Sequence, residues 1–146
     1  MKLCLVAQQG GHLQQLLRLQ RAWAGIEHFH VLTAHQVPPT REIQSRVYFL
    51  RSSDRKTPWR ILLNFFPAWR ILRKEKPDVI LSTGAALAIP FVFWGRVLGI
   101  PCIWVDSQAN TRKLSMTGGF LRPHVTRCYT QWEELAQDGV RYRGRV

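Results

Sequence analysis

The sequence predicts an α/β fold, a parallel sheet with helices on both faces, and three features carry that prediction. An apolar run, Leu3-Cys4-Leu5-Val6-Ala7, leads into Gln9-Gly10-Gly11-His12, the pattern of a buried strand, a glycine turn and a helix start. From Val79 to Val105 the only charged residue is Arg96, and the stretch is long enough to imitate a membrane span. Gly84, Pro90 and Gly99-Ile100-Pro101 cut it into strand, helix and strand lengths instead. The 146 residues, 46% of them apolar, suffice for one domain with its own core, residues 1–146.

Taken in order, Lys2–Ala7 is the first strand. Leu13–Trp23 reads as an amphipathic helix with Leu13, Leu16 and Leu17 on its apolar face, ended by Gly25. His28–Thr33 is a second strand, followed by a loop through Pro38-Pro39, and Val47–Leu50 a third. Thr57-Pro58 supplies a cap and a first helical position. The helix it starts runs to about Lys74, with a kink or split expected at Pro67. Val79–Ser82, the turn Thr83-Gly84-Ala85-Ala86, a helix from about Ala86 to Leu98 and the strand Cys102–Val105 form a strand–helix–strand unit, which makes its strands parallel. Ser107–Gly119 is polar and small, with no element of its own expected, and loops of that length are usually functional. Arg127–Thr130 is a further strand, Trp132–Gln137 a helical turn, and Arg141–Val146 a basic tail. The sheet is expected to be buried on both faces.

Lys and Arg outnumber Asp and Glu by 21 to 9, a formal charge of +12, mostly from arginine. Such a surface expects an anionic partner: nucleic acid, an anionic membrane or a phosphorylated substrate. The helix from Pro58 interleaves Trp59, Phe65, Phe66 and Trp69 with Arg60 and Arg70, and its apolar residues wrap more than one face. Aromatics and cations so mixed suit a membrane interface, against the plainer reading of a core helix with arginines in water. Cys4, Cys102 and Cys128 are far apart and lack paired metal-ligand spacing, so structural thiols in a reducing cytoplasm are expected. His28, His30 and His35 lie close in sequence, but no carboxylate or cysteine completes a ligand set, and no metal or cofactor is expected.

In an open parallel sheet, ligands sit beyond the carboxyl ends of the strands. Three loops reach that edge. Gly10-Gly11-His12 offers unpaired helix-start amides for an anion and an imidazole beside them. Gly84 and Ala85 form a second small-residue turn, and the third loop brings Asp106, Ser107, Gln108, Arg112, Ser115 and Thr117. Together they suit a phosphosugar or phospholipid head group. Each has a plainer reading: a tight βα turn for the glycines, and a cap or loop organiser for Asp106.

The chain also resembles the acceptor-binding subunits of two-component N-acetylglucosaminyltransferases that extend dolichol-linked sugars, and the related bacterial exopolysaccharide proteins of the PssD branch. The matching pieces are Gly10-Gly11-His12, Asp78-Val79-Ile80 through Pro90, Leu98-Gly99-Ile100-Pro101, Asp106-Ser107, Lys113-Leu114-Ser115-Met116-Thr117-Gly118, Gln131-Trp132-Glu133-Glu134-Leu135, and Tyr142 with Gly144. More distantly it is similar to the amino-terminal domain of the transferase that acts on undecaprenyl-linked muropeptide. The resemblance implies a Rossmann-like amino-terminal half of a GT-B glycosyltransferase. It implies a polyprenyl-diphosphate sugar as acceptor, a separate donor-binding subunit as partner, and a peripheral place on the cytoplasmic face of the inner membrane. Gly10, Gly11 and His12 would then hold the acceptor diphosphate or assist deprotonation. Asp106 stands where the family usually has Glu, and Gln108 at the Asn of a His-Glu-Gln-Asn run. The eukaryotic subunit begins with a membrane anchor, whereas this chain begins at its first strand, so attachment is expected to be peripheral or through a partner. His12 and Asp106 are the two candidate bases.

The competing class is a basic, non-enzymatic domain that binds membrane or nucleic acid. A nucleic-acid reader needs aromatics on an exposed sheet or a groove-fitting helix. The aromatics here cluster on one helix, so no nucleic-acid partner is expected.

Overall fold

The computed structural model describes residues 1–34, 43–52 and 59–146. Its centre is a seven-stranded, all-parallel sheet in the order β3-β2-β1-β4-β5-β6-β7. The strands are β1 (Lys2–Ala7), β2 (Glu27–Thr33), β3 (Arg46–Leu50), β4 (Val79–Ser82), β5 (Cys102–Val105), β6 (Arg127–Thr130) and β7 (Val140–Tyr142). The chain steps outward from β1 to β3, then returns to β4 on the other side of β1. The strand order therefore reverses between β1 and β4, and a crevice opens at their carboxyl ends.

Among the described residues five helices pack around this sheet: α1 (Gly11–Arg18), α2 (Arg60–Leu63), α3 (Phe65–Glu75), α4 (Ala88–Leu98) and α5 (Met116–Leu121). One face of the sheet is fully covered. Cys4, Val6, Phe29, Val31, Ile80, Cys102 and Trp104 pack there against Ala68 and Leu72 of α3, Phe91 and Val92 of α4, and Leu121 of α5. On the other face α1 and a 3₁₀ turn over Gln20–Trp23 cover Leu3, Leu5 and Leu32 with Leu13, Leu16 and Trp23. Beyond them the covering stops. Val79, Leu81, Ile103, Val105 and Tyr129 floor an open, mainly apolar groove of about 470 Å³. The expectation of burial on both faces is therefore corrected: no described helix spans β4 to β6 on this side.

Several boundaries differ from the sequence reading, each for a local reason. The helix expected over Leu13–Trp23 starts earlier, at Gly11, and tightens to 3₁₀ after Leu19. The kink expected at Pro67 falls at Asn64 instead. Pro67 occupies the first turn of α3, where its missing N–H has no intrahelical partner to lose. The side chain of Asn64 is buried and donates to Arg51 O at 2.8 Å, which anchors the break. The helix start at Thr57-Pro58, the Pro38-Pro39 loop and His35 lie outside the described residues. The loop Ser107–Gly119 does contain an element: Ser115 caps α5, accepting from Gly118 N at 2.9 Å. The basic tail holds a seventh strand, β7, paired to β6. No helix of the described residues is long and apolar enough to cross a membrane.

At the amino ends of the strands, away from the crevice, Glu75 closes α3 as a buried carboxylate. Lys2 Nζ and Arg46 Nη1 each lie 2.6 Å from its oxygens, and the Tyr48 hydroxyl donates to it as well. Burial pushes this carboxyl up, but the hydrogen bonds from Lys2, Tyr48 and Arg46 outweigh it and hold the group down to about 2. This cluster ties α3 to β1 and β3.

Candidate functional site

The crevice is built from the turns after β1, β4 and β5. After β1, Gly10 adopts φ 101°, a conformation only glycine takes freely, and lets the chain turn straight into α1. Gly11 has open space around it, so its value at this edge is that no side chain shields the first amides of α1. Those amides have no partner within the helix and lie at its positive end. Leu13 N is already turned back to Gln8 O at 3.1 Å, which closes the turn.

His12, half-buried, crosses from α1 to the β4 turn. Its Nδ1 lies 3.1 Å from Thr83 O, and Thr83 Oγ1 donates to His12 O at 2.7 Å. A carbonyl only accepts, so Nδ1 carries the proton and Nε2 keeps its lone pair for chemistry. Gly84, at φ 139°, lies directly beneath the ring: a methyl group there would run into His12 Nδ1 and Cε1. Ala85 follows with φ 74°, a strained value for a residue with a Cβ, so both residues of this turn are held in unusual backbone geometry.

Asp106, at the end of β5, is 1% exposed, and both its oxygens are engaged by Trp104 of β5 and by Asn110 and Ser115 of the loop. Oδ1 accepts from Trp104 Nε1 (3.0 Å) and Ser115 Oγ (2.5 Å), and Oδ2 from Ser115 N (2.9 Å) and Asn110 Nδ2 (3.2 Å). A methyl on Gly118 would run into Oδ1. The carboxylate thus folds residues 106–118 around itself. Ser115 is committed to the same knot, and Thr117 is half-buried in the first turn of α5. Ser107 Oγ accepts from Gln15 Nε2 at 3.2 Å and Ala109 N at 3.3 Å, and Gln108 N reaches Gln15 Oε1 at 3.4 Å.

The structure brings His12, Gly84, Ser107 and Gln108 to one edge through α1. Arg112 instead lines a second groove with Lys113, Gly119, Arg122 and Gln137, which includes none of the glycine-turn residues. Sequence reading passed over Gln15 and the role of Gln131. Gln15 stands three residues after His12, on the same helix face, and that spacing was the available signal.

The aromatic–cation surface lies on α2 and α3. Trp59, Leu62 and Phe66 are 58%, 70% and 63% exposed. Trp69 stacks on Phe66, while Phe65 meets the exposed Phe93 of α4 edge to face. Arg60 lies over Trp59, Arg70 over Phe66 and Arg73 over Trp69, so each of these three rings carries a cation beside it.

His28 and His30 meet edge to face at 5.5 Å on β2, with Nδ1 of His28 donating to Ile26 O and Nδ1 of His30 bonded to Ser45 Oγ. Burial, helped by His28, lowers His30 to about 4 and keeps it neutral. Among the described residues no three His, Cys, Asp or Glu side chains are grouped to hold a metal ion. The three cysteines are free and buried, and burial pushes Cys102 up to about 12 and Cys128 to about 11.

Comparison with known proteins places this geometry. The model of a family described as "Oligosaccharide biosynthesis protein Alg14 like" matches residues 27–146, most of the chain but not the glycine turn. The undecaprenol-linked N-acetylglucosamine transferase of Prochlorococcus marinus is 27% identical over 126 residues, 80% of this chain and 34% of that protein. The UDP-N-acetylglucosamine transferase subunit ALG14 of Eremothecium gossypii is 33% identical over 73 residues, 46% of this chain and 31% of that subunit. The chain thus spans about a third of the length of these relatives. Among solved structures, MurG of Acinetobacter baumannii superposes with a TM-score of 0.78 at 17% identity, covering 100% of this chain and 46% of that one. The fold is that of the amino-terminal half of a GT-B glycosyltransferase.

Proposed function

Because the chain belongs to the Alg14-like family of oligosaccharide biosynthesis proteins, we propose that it is the acceptor-binding subunit of a two-component inverting glycosyltransferase. It binds a polyprenyl-diphosphate-linked sugar at the cytoplasmic face of the membrane and recruits a separate chain that holds the nucleotide sugar. The product enters polysaccharide biosynthesis.

The observation that carries this reading is the junction of His12 with Thr83 and Gly84 at the strand-order reversal, with the Gly11 and His12 amides of the first turn of α1 beside it. Those amides suit the acceptor diphosphate, and the fixed tautomer of His12 leaves Nε2 as a base. In the reaction, an acceptor hydroxyl oxygen attacks the anomeric carbon of the nucleotide sugar. The new C–O bond forms as the bond to the leaving nucleoside diphosphate breaks, with inversion, and His12 Nε2 takes the hydroxyl proton. Asp106 serves by shaping the loop that flanks this edge. Exposed Trp59, Leu62 and Phe66 with Arg60 and Arg70 support a peripheral seat on anionic lipid, where the acceptor's polyprenyl chain is anchored.

The test is transfer from UDP-N-acetylglucosamine to a short-chain polyprenyl-diphosphate sugar by the chain purified alone and by the chain co-expressed with a donor-binding partner subunit. Transfer only by the pair supports the proposal. Transfer by the isolated chain, or none by a well-folded pair with any such acceptor, overturns it.

A further inference from the structure

We propose that Gln131 is a positioning residue that ties residues 145 and 146 to the crevice, setting the placement of Gln15 and the Ser107-Gln108 turn beside His12. Its bearing on transfer rests on the function proposed above; its bearing on structure does not.

Gln131 follows β6 and is 2% exposed. Every arm of its carboxamide is engaged. Nε2 donates to Gln15 Oε1 at 3.2 Å and to Asp106 O at 3.1 Å, and Oε1 accepts from Val146 N at 3.0 Å. Flipping the amide would set NH₂ against an N–H and an oxygen against two oxygens, so only one orientation is satisfied. Gln15 in turn holds Ser107 Oγ and Gln108 N. A second thread runs beside the first. Arg145 Nε donates to Gln131 O at 3.2 Å, its guanidinium lies 4.0 Å from the Trp132 ring, and Trp132 Nε1 donates to Gln108 O at 2.9 Å.

Two chains of contact thus start at residues 145–146 and end on the same turn, and one of them passes through the helix that carries His12. A buried amide with a donor or acceptor left over is costly, so the members of such a network hold or shift together. Removing the Val146 N–H frees Gln131 Oε1, and the carboxamide then loses the contact that fixes its orientation toward Gln15 and Asp106.

The experiment uses Val146→Pro, which deletes that one donor, and Gln131→Met, which keeps the volume and removes the amide. Side-chain amide resonances of Gln15 and imidazole resonances of His12 are recorded for the isolated chain. Acceptor and donor KM are measured for the chain with its partner. We expect Val146→Pro to move both sets of resonances. It should raise acceptor KM by about threefold to tenfold, the worth of a lost hydrogen bond, with donor KM unchanged. The double variant should be no worse than Gln131→Met alone. Resonances that stay at their wild-type positions in Val146→Pro overturn the coupling, whether or not the pair is active and whether or not Gln131→Met folds. Shifted resonances with an unchanged acceptor KM in an active pair overturn the positioning role. An inactive wild-type pair counts against the proposed function alone, since the resonances still decide the coupling.

Discussion

His12 and Thr83 hold each other in both directions across the β1–β4 reversal: the ring Nδ1–H reaches Thr83 O at 3.1 Å, and the Thr83 hydroxyl reaches His12 O at 2.7 Å. This pair fixes where the Nε2 of His12 sits, and Gly84 beneath the ring makes the fit possible.

Gly84→Ala therefore expels His12 from its seat. The added methyl overlaps the ring, and φ 139° is itself strained for alanine, a cost of about 1–3 kcal/mol. Transfer should fall at least about tenfold, with the melting temperature lowered by several degrees. Activity within twofold of wild type would show that His12 is not needed in this pose. Gly11→Ala, where space is open, should leave the melting temperature unchanged.

His12→Ala and Asp106→Asn should separate chemistry from architecture. His12→Ala should lower kcat by about 10²–10⁴-fold, as loss of a general base does, with little change in denaturant midpoint. Asp106→Asn sets an NH₂ group against donors already aimed at the carboxylate, so stability should drop by about 2–4 kcal/mol. A stable Asp106→Asn variant with normal acceptor KM but abolished kcat would reverse the assignment and make Asp106 the base.

Acid should unfold the protein in two successive windows. His30 stays neutral in the fold until about pH 4, whereas the unfolded chain protonates it near 6.5. Stability is then full above pH 6.5 and declines as pH falls toward 4. Glu75 is held at about 2 against an ordinary 4.5, so its contribution is present above pH 4.5 and is lost as pH falls toward 2. Each shift corresponds to roughly 3 kcal/mol. Denaturant midpoints from pH 7 to 2 should show His30→Leu flattening the upper window and Glu75→Gln the lower one.

Vesicle flotation tests the aromatic surface. Binding to vesicles containing anionic lipid should weaken more than about tenfold in Trp59→Ala/Phe66→Ala, since each ring buries on the order of 2 kcal/mol of apolar surface. In Arg60→Glu/Arg70→Glu it should weaken chiefly at low salt. Oligonucleotide binding that matches vesicle binding in affinity and salt slope, and survives the aromatic changes, would favour the basic nucleic-acid-binding alternative.

The strands and the glycine turns were legible in the sequence because their signals are local. Buried parallel strands are continuous apolar runs, and sharp turns at their ends need small residues, as Leu3–Ala7 with Gly10 and Val79–Ser82 with Gly84 display. The strand-helix-strand reading of Val79–Val105 held for the same reason. What the sequence left open depends on pairs far apart in the chain. That Pro67 lies in a first turn follows from the anchoring of Asn64 to Arg51. That β7 is a strand follows from β6 offering it an edge. Whether Asp106 is a base or a loop organiser was undecided from residue types, and the four donors that surround it come from residues 104, 110 and 115 folded back upon it. His12 and Thr83 are 71 residues apart, and Gln15 and Gln131 are 116 apart. The sequence by itself determined which segments are strands and which turns stand at their ends. Only the tertiary structure decided which side chains meet, because a hydrogen bond depends on position in space to a fraction of an ångström, and composition and periodicity carry no such information.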